Sequence, residues 1–160
     1  MGVKSPLNFS EDKMRFDLLD QLSAAQVVTA AAVSTNSKKV KTTGQDLGIG
    51  TQPQMGLVFA AVSNAVGGGS FTIEIIEATD AALTAGVVSL ATMTLTAAKL
   101  LAGEGFFLPL PPYSQAKAFY GARFTPVGGS SPSLTVDAYF GTSDDVAQYK
   151  SFTSTYNVAN

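Results

Sequence analysis

Hydrophobic and polar positions alternate most clearly within Met55 to Ala78, which reads MGLVFAAV, SNAVGGGS and FTIEIIEA in turn. In the last block Phe71, Ile73 and Ile75 fall on one face, and Thr72, Glu74 and Ile76 on the other. A period of two buries one side of a strand and cannot bury one side of a helix. Glu74 is then a solvated strand residue. The first block lacks this alternation: Leu57, Phe59 and Ala61 oppose Val58, Ala60 and Val62, as in a strand covered on both faces. Between the two, Gly67, Gly68 and Gly69 have no Cβ and permit the positive φ of a chain reversal. The stretch therefore predicts a long antiparallel hairpin onto which the other strands are built.

Either side of it the patterns are shorter. Residues 1–20 read as an arm, with Pro6 and irregularly spaced apolar residues. In QLSAAQVVTAAAVSTNSKKVK, alanine favours helix, but the β-branched VVT and AVST clusters predict short strands at Gln26–Thr29 and Ala32–Thr35. Lys38, Lys39 and Lys41 form a basic cluster at a solvated strand end, and Thr42–Gln54 is loop. After the hairpin, Thr79–Leu83 predicts a short helical turn that Thr79 or Asp80 caps. Val87–Thr96 reads as strand, with Met93 and Leu95 on one face. Phe106–Pro112 is extended, and Pro109 makes it an edge strand or a strand leaving the sheet. Ala116–Val127 alternates Tyr120, Ala122 and Phe124 against their neighbours. A Gly-Ser-Pro turn at Gly128–Pro132 leads to Ser133–Thr142, with Leu134, Val136, Ala138 and Phe140 inward. About eight short strands with frequent turn signals predict an all-β fold, a jelly-roll-like β-sandwich over residues 21–142 with arms at 1–20 and 143–160.

Composition narrows what such a sandwich can do. At 160 residues the chain can bury a proper core, and without cysteine it does so with no disulfide. Charged residues make up 14%, against roughly 25% in a typical soluble domain. A surface built from Ala, Thr, Ser and Gly is poorly defended against association. The net charge of −2 gives no electrostatic footprint for nucleic acid. No window offers a signal-peptide core or a membrane helix, so the expected site of synthesis is a cytoplasm, and no membrane partner is expected.

There is no His, no Cys and no Trp, which removes Ser–His and Cys–His nucleophile pairs and the usual zinc ligand sets. Glu74 and Glu77, three apart in a strand, point to opposite faces and cannot flank one bond. Asp144 and Asp145 sit in a turn, where aspartate commonly bonds to backbone. Gly48–Gly50 and Gly67–Ser70 open no helix, so neither makes a phosphate loop. A Ca²⁺ site on Asp80, Asp144 or Asp145 matches no loop spacing. The expectation is a non-enzyme with no catalytic, metal or cofactor residues. Its partner contacts are expected at Phe9, Phe16, Tyr149, Phe152 and Tyr156, aromatic residues on end segments that the sandwich does not need. The alternative is that the ends are simply frayed.

Several blocks carry a family resemblance: S-x-x-Q-x-V-T-x-x-x-V-S-T-N from Ser23, DLG-x-G from Asp46, and a strand running into E-A-T-D at Glu77–Asp80. Over roughly Asp17 to Gly141 the chain resembles the capsid cement (decoration) proteins of tailed bacteriophages. The resemblance implies a non-enzymatic jelly roll on the outside of a phage head, bridging major capsid subunits as a small symmetric oligomer, dimer or trimer. The longer N-terminal arm and the aromatic tail depart from the family pattern. A carbohydrate- or receptor-binding β-sandwich is the alternative. It would be expected to show exposed Trp or Tyr platforms, whereas Trp is absent and the five Tyr are scattered.

Overall fold

The computed structural model describes residues 21–39, 54–111 and 117–146. The described strands are β1 (Gln21–Val28), β2 (Ala32–Val33), β3 (Lys38–Lys39), β4 (Met55–Ala61), β5 (Ser70–Ala78), β6 (Val88–Thr96), β7 (Gly105–Pro109), β8 (Phe119–Val127) and β9 (Leu134–Thr142). They form two antiparallel sheets. One has the order β1-β9-β4-β7; the other runs β2-β8-β5-β6, with β3 also paired to β8. Because β2 and β3 lie in succession along β8, they amount to one broken strand, and each sheet then has four. The chain stays within one sheet only at that break and at β5–β6; every other connection crosses to the opposite sheet. First and last strands lie side by side. This is the jelly-roll order, and the protein is an all-β sandwich.

The crossing pattern corrects the expected hairpin. β4 and β5 belong to different sheets: β4 pairs with β7 and β9, and β5 with β6 and β8. The glycines between them do take positive φ, at 88°, 69° and 74°, yet they turn the chain across the sandwich. The amide of Ser130, in the β8–β9 loop, donates to the carbonyl of Gly67 at 2.8 Å. A Cβ on Gly67 would lie 2.6 Å from the Ser130 carbonyl oxygen, and one on Gly129 would lie 2.3 Å from that of Gly67. The two glycine-rich loops thus pack backbone against backbone, which only residues without side chains permit.

The alternating runs bury the faces read from the sequence. Phe71, Ile73 and Ile75 of β5, Tyr120, Ala122 and Phe124 of β8, and Leu134, Val136, Ala138 and Phe140 of β9 share one core with Leu57, Phe59 and Ala61 of β4. The Phe59 and Phe106 rings stack at 5.3 Å between centroids, adding dispersion contact at the β4–β7 side. β7 is an edge strand that ends at Pro109, as expected of a strand that loses a donor there.

Two local readings change. β1 begins at Gln21, because two register shifts against β9 interrupt its alternation. Ala25 sits in the left-handed region at φ 44°, and its amide donates to the Asp137 carboxylate at 2.6 Å. Thr79–Leu83 forms no helical turn. The Asp80 carboxylate accepts from the amides of Thr84 and Ala85 at 3.0 and 2.7 Å, closing the β5–β6 loop instead. Leu83, at φ 57°, is drawn down onto Gly121, where it packs in a second small core with Ile76 and Ala78. Helix among the described residues is confined to a 3-10 turn at Ala97–Lys99 and a single turn at 143–146. Lys38 and Lys39 lie on β3, with Lys39 Nζ 5.9 Å from the centre of the Phe119 ring, while Lys41 falls outside the described residues.

Candidate functional site

Four of the acidic side chains weighed from the sequence, Glu74, Glu77, Asp80 and Asp145, bond to other parts of the fold. Glu74 projects from the outer face of β5 beside Arg123 of β8, its directly opposite neighbour. Arg123 donates to it twice, Nε to Oε2 at 2.6 Å and a terminal nitrogen to Oε1 at 2.9 Å. The guanidinium hydrogen bonds hold the Glu74 carboxyl below the usual carboxylate range, against partial burial that works the other way, with Ser89 adding a smaller pull downward. Glu74 is therefore a paired residue, not the freely solvated one its strand position predicts. Glu77 is on the opposite side, as expected, but buried. It accepts from the Tyr120 hydroxyl and the Lys117 amide, both at 3.3 Å.

Asp145 accepts from the Thr142 amide at 2.6 Å and its hydroxyl at 3.0 Å, so it caps the turn after β9, in line with the turn reading. The amides of Ala85 and Thr84 and the Thr84 hydroxyl keep Asp80 below its ordinary range. Gly67–Ser70 lead into β5, and no cluster of three or more potential metal ligands occurs among the described residues. Gly48–Gly50 lie outside those residues. So do the five expected partner contacts, Phe9, Phe16, Tyr149, Phe152 and Tyr156.

The described surface instead presents two uncharged features. On the outer face of the five-stranded sheet, Thr125, Thr72 and Thr94 stand in one row across β8, β5 and β6. Ser70 and Thr96 form the adjacent row, and Thr92 stands beside Glu74. The Thr72 and Thr94 hydroxyls are 3.3 Å apart. The second feature is an apolar tip at the end of the sandwich where the glycine loops meet. Val27 and Val62 flank Thr135 on neighbouring strands and are 61% and 41% exposed. Val66, Leu101 and Val127 are exposed nearby, on the loops and strand ends that close the same end. Sequence reasoning missed both. The T-x-T-x-T spacing at 92–96 was the available signal for the first; the second needs the register that brings Val27 and Val62 together.

The described residues thus make a jelly-roll β-sandwich whose surface offers hydroxyls and apolar side chains. The chain belongs to the Bbp16 family, whose sequence profile matches residues 22–158. A search of curated proteins finds no match. Among the described residues no helix is long and apolar enough to cross a membrane.

Proposed function

We propose that this chain is a non-enzymatic cement protein that binds the outside of an assembled phage head and bridges neighbouring major capsid subunits. The observation that carries the reading is the apolar tip of Val27, Val62, Val66, Leu101 and Val127, grouped at one end of a sandwich with few charges. Exposed valine and leucine grouped in this way mark a contact surface more often than isolated apolar residues do. The carboxylates of Glu74, Glu77, Asp80, Asp137 and Asp145 each hold another part of the fold, which fits a structural role. A protein that binds the assembled shell and not the free subunits lowers the free energy of the shell. Repetition over the lattice turns modest single contacts into firm attachment. The aromatic residues of the two ends, Phe9, Phe16, Tyr149, Phe152 and Tyr156, are proposed as further anchors.

The test is co-sedimentation of the full chain with purified phage heads, against free major capsid subunits. Binding to heads and not to subunits is the expected result, weakened at least tenfold by Val62→Asp together with Val66→Asp. No binding to heads, joined with binding to a glycan array, would replace the reading with the carbohydrate-binding alternative.

A further inference from the structure

The edges of the two sheets are treated unequally. An exposed edge strand is a row of unpaired backbone donors and acceptors, and folded proteins usually blunt it with bulges, proline, charge or shortness. β1 is broken by two register shifts and carries a left-handed residue, Ala25. β7 has five residues and ends in proline. The β2–β3 edge is cut into two pieces of two residues, and both residues of the second are lysine. β6 has none of these devices beyond a single irregularity. It is nine residues long, VSLATMTLT, with no charge and no proline. Its pairing with β5 slips once, where Leu90 is the extra residue, and runs unbroken from Ala91 to Thr96. Among the described residues nothing pairs with its other side.

The same side of the sandwich is also poorly sealed. Leu90, Ala91, Met93 and Leu95 of β6 and Phe106 of β7 reach the core but are only partly buried. A strand added to β6 would cover these side chains and satisfy the open backbone groups in one step.

We propose that the added strand is β6 of a second copy, paired antiparallel across a twofold axis. The two five-stranded sheets then become one continuous sheet. The strand suits its own inverse. Centred on Met93, the pairing sets Thr92 opposite the partner's Thr94 on the outer face and Ala91 opposite the partner's Leu95 on the inner face. No like charges meet anywhere along it, since β6 has none. A twofold contact of this kind is closed and stops at two copies, which an open head-to-tail edge would not. The pairing deepens the small symmetric oligomer of the cementing reading by choosing the dimer and its surface.

The experiment uses the full chain free in solution, by sedimentation equilibrium and by hydrogen exchange of β6 amides. The double variant Thr92→Lys, Thr94→Lys changes two exposed side chains and would crowd four ammonium groups around the twofold. Ala24→Lys, exposed on β1 at an edge of the other sheet, serves as control. The expected result is a wild-type dimer, weakened at least tenfold in the double variant and unchanged in the control. Alternate β6 amides should be protected at high protein concentration and exchange freely on dilution. A chain that is monomeric at high concentration, or a dimer indifferent to the two lysines, overturns the proposal. So does β6 protection that is independent of concentration, which would mean the strand is covered within one chain. A monomer that still binds heads would remove the twofold and leave the cementing reading standing.

Discussion

The outer faces of the two sheets are built on opposite plans. On the five-stranded sheet the outward residues along most of β5 and β6 are Thr72, Glu74, Thr92 and Thr94, and the inward ones are Phe71, Ile73, Met93 and Leu95. Only at the far end of β5 do apolar residues, Ile76 and Ala78, face outward, under Leu83. On the four-stranded sheet the outward residues of β4 are Val58 and Ala60, yet these are only 3% and 4% exposed. Val58 lies opposite Phe107 on one side and Tyr139 on the other. Glycine makes this close cover possible. The Phe107 ring lies where a side chain on Gly56 would be, and a Cβ on Gly141 would sit 3.2 Å from Val58. A polar outer face writes a period of two into the sequence. An apolar outer face erases it. The contrast between MGLVFAAV and FTIEIIEA was itself a sign that the two runs belong to different sheets.

The largest effect that sharpens this comparison lies in the core and on β4. Ile73→Ala should cost about 2–5 kcal/mol, from lost transfer energy and the cavity left behind. Val58→Ala, on an outer face, should still cost about 1.5–3 kcal/mol, because two buried methyl groups are lost. Thr94→Ala, on the other outer face, should stay within about 0.5 kcal/mol. Urea denaturation of the three variants ranks them. A Val58→Ala cost no larger than that of Thr94→Ala would show that the two outer faces are alike after all.

A second comparison probes how the sheets are joined. Gly128 and Gly129 both have positive φ, at 69° and 80°. A Cβ at Gly128 meets nothing within 4 Å, whereas at Gly129 it meets the Gly67 carbonyl. Gly128→Ala should therefore cost only the left-handed penalty, about 1–2 kcal/mol. Gly129→Ala adds a backbone collision and should reach about 2–4 kcal/mol. Equal losses would mean that the two loops do not hold each other across the sandwich.

These contrasts also mark what could be read from the chain. β5, β8 and β9 were legible because along most of their length one face is buried, so residues such as Ile73, Phe124 and Val136 recur inward at a period of two. The start of β1 was hidden by the irregularity at Ala25, which shifts the alternation without any glycine or proline to announce it. The Thr79–Leu83 turn was misread because local capping logic cannot foresee that Leu83 is drawn onto Gly121, well beyond it in sequence. The Arg123 partner of Glu74 depends on β8 lying beside β5, which is a fact of strand order. The apolar tip was illegible for the same reason. The end aromatics, Phe9 to Tyr156, were chosen from the sequence and lie outside the described residues.

Glu74 carries the smallest and most discriminating test, since with Arg123 it sets a charged pair into the threonine face. Its side chain is 12% exposed and that of Arg123 is 35% exposed, so solvent screens the pair from one side. Exposed ion pairs contribute about 0.2–1 kcal/mol, and the two-pronged geometry places this one near the upper end. Glu74→Gln should therefore cost at most about 1 kcal/mol at neutral pH. The folded-state pKa lies below the unfolded one. The contribution of the pair is then fully present above the usual carboxylate range and is lost as the pH falls through and below that range. Denaturation of wild type and variant at neutral and at strongly acidic pH should show the gap closing on acidification. A gap that persists unchanged in acid would mean that the Glu74 side chain matters for its shape on the β5 face and not for its charge.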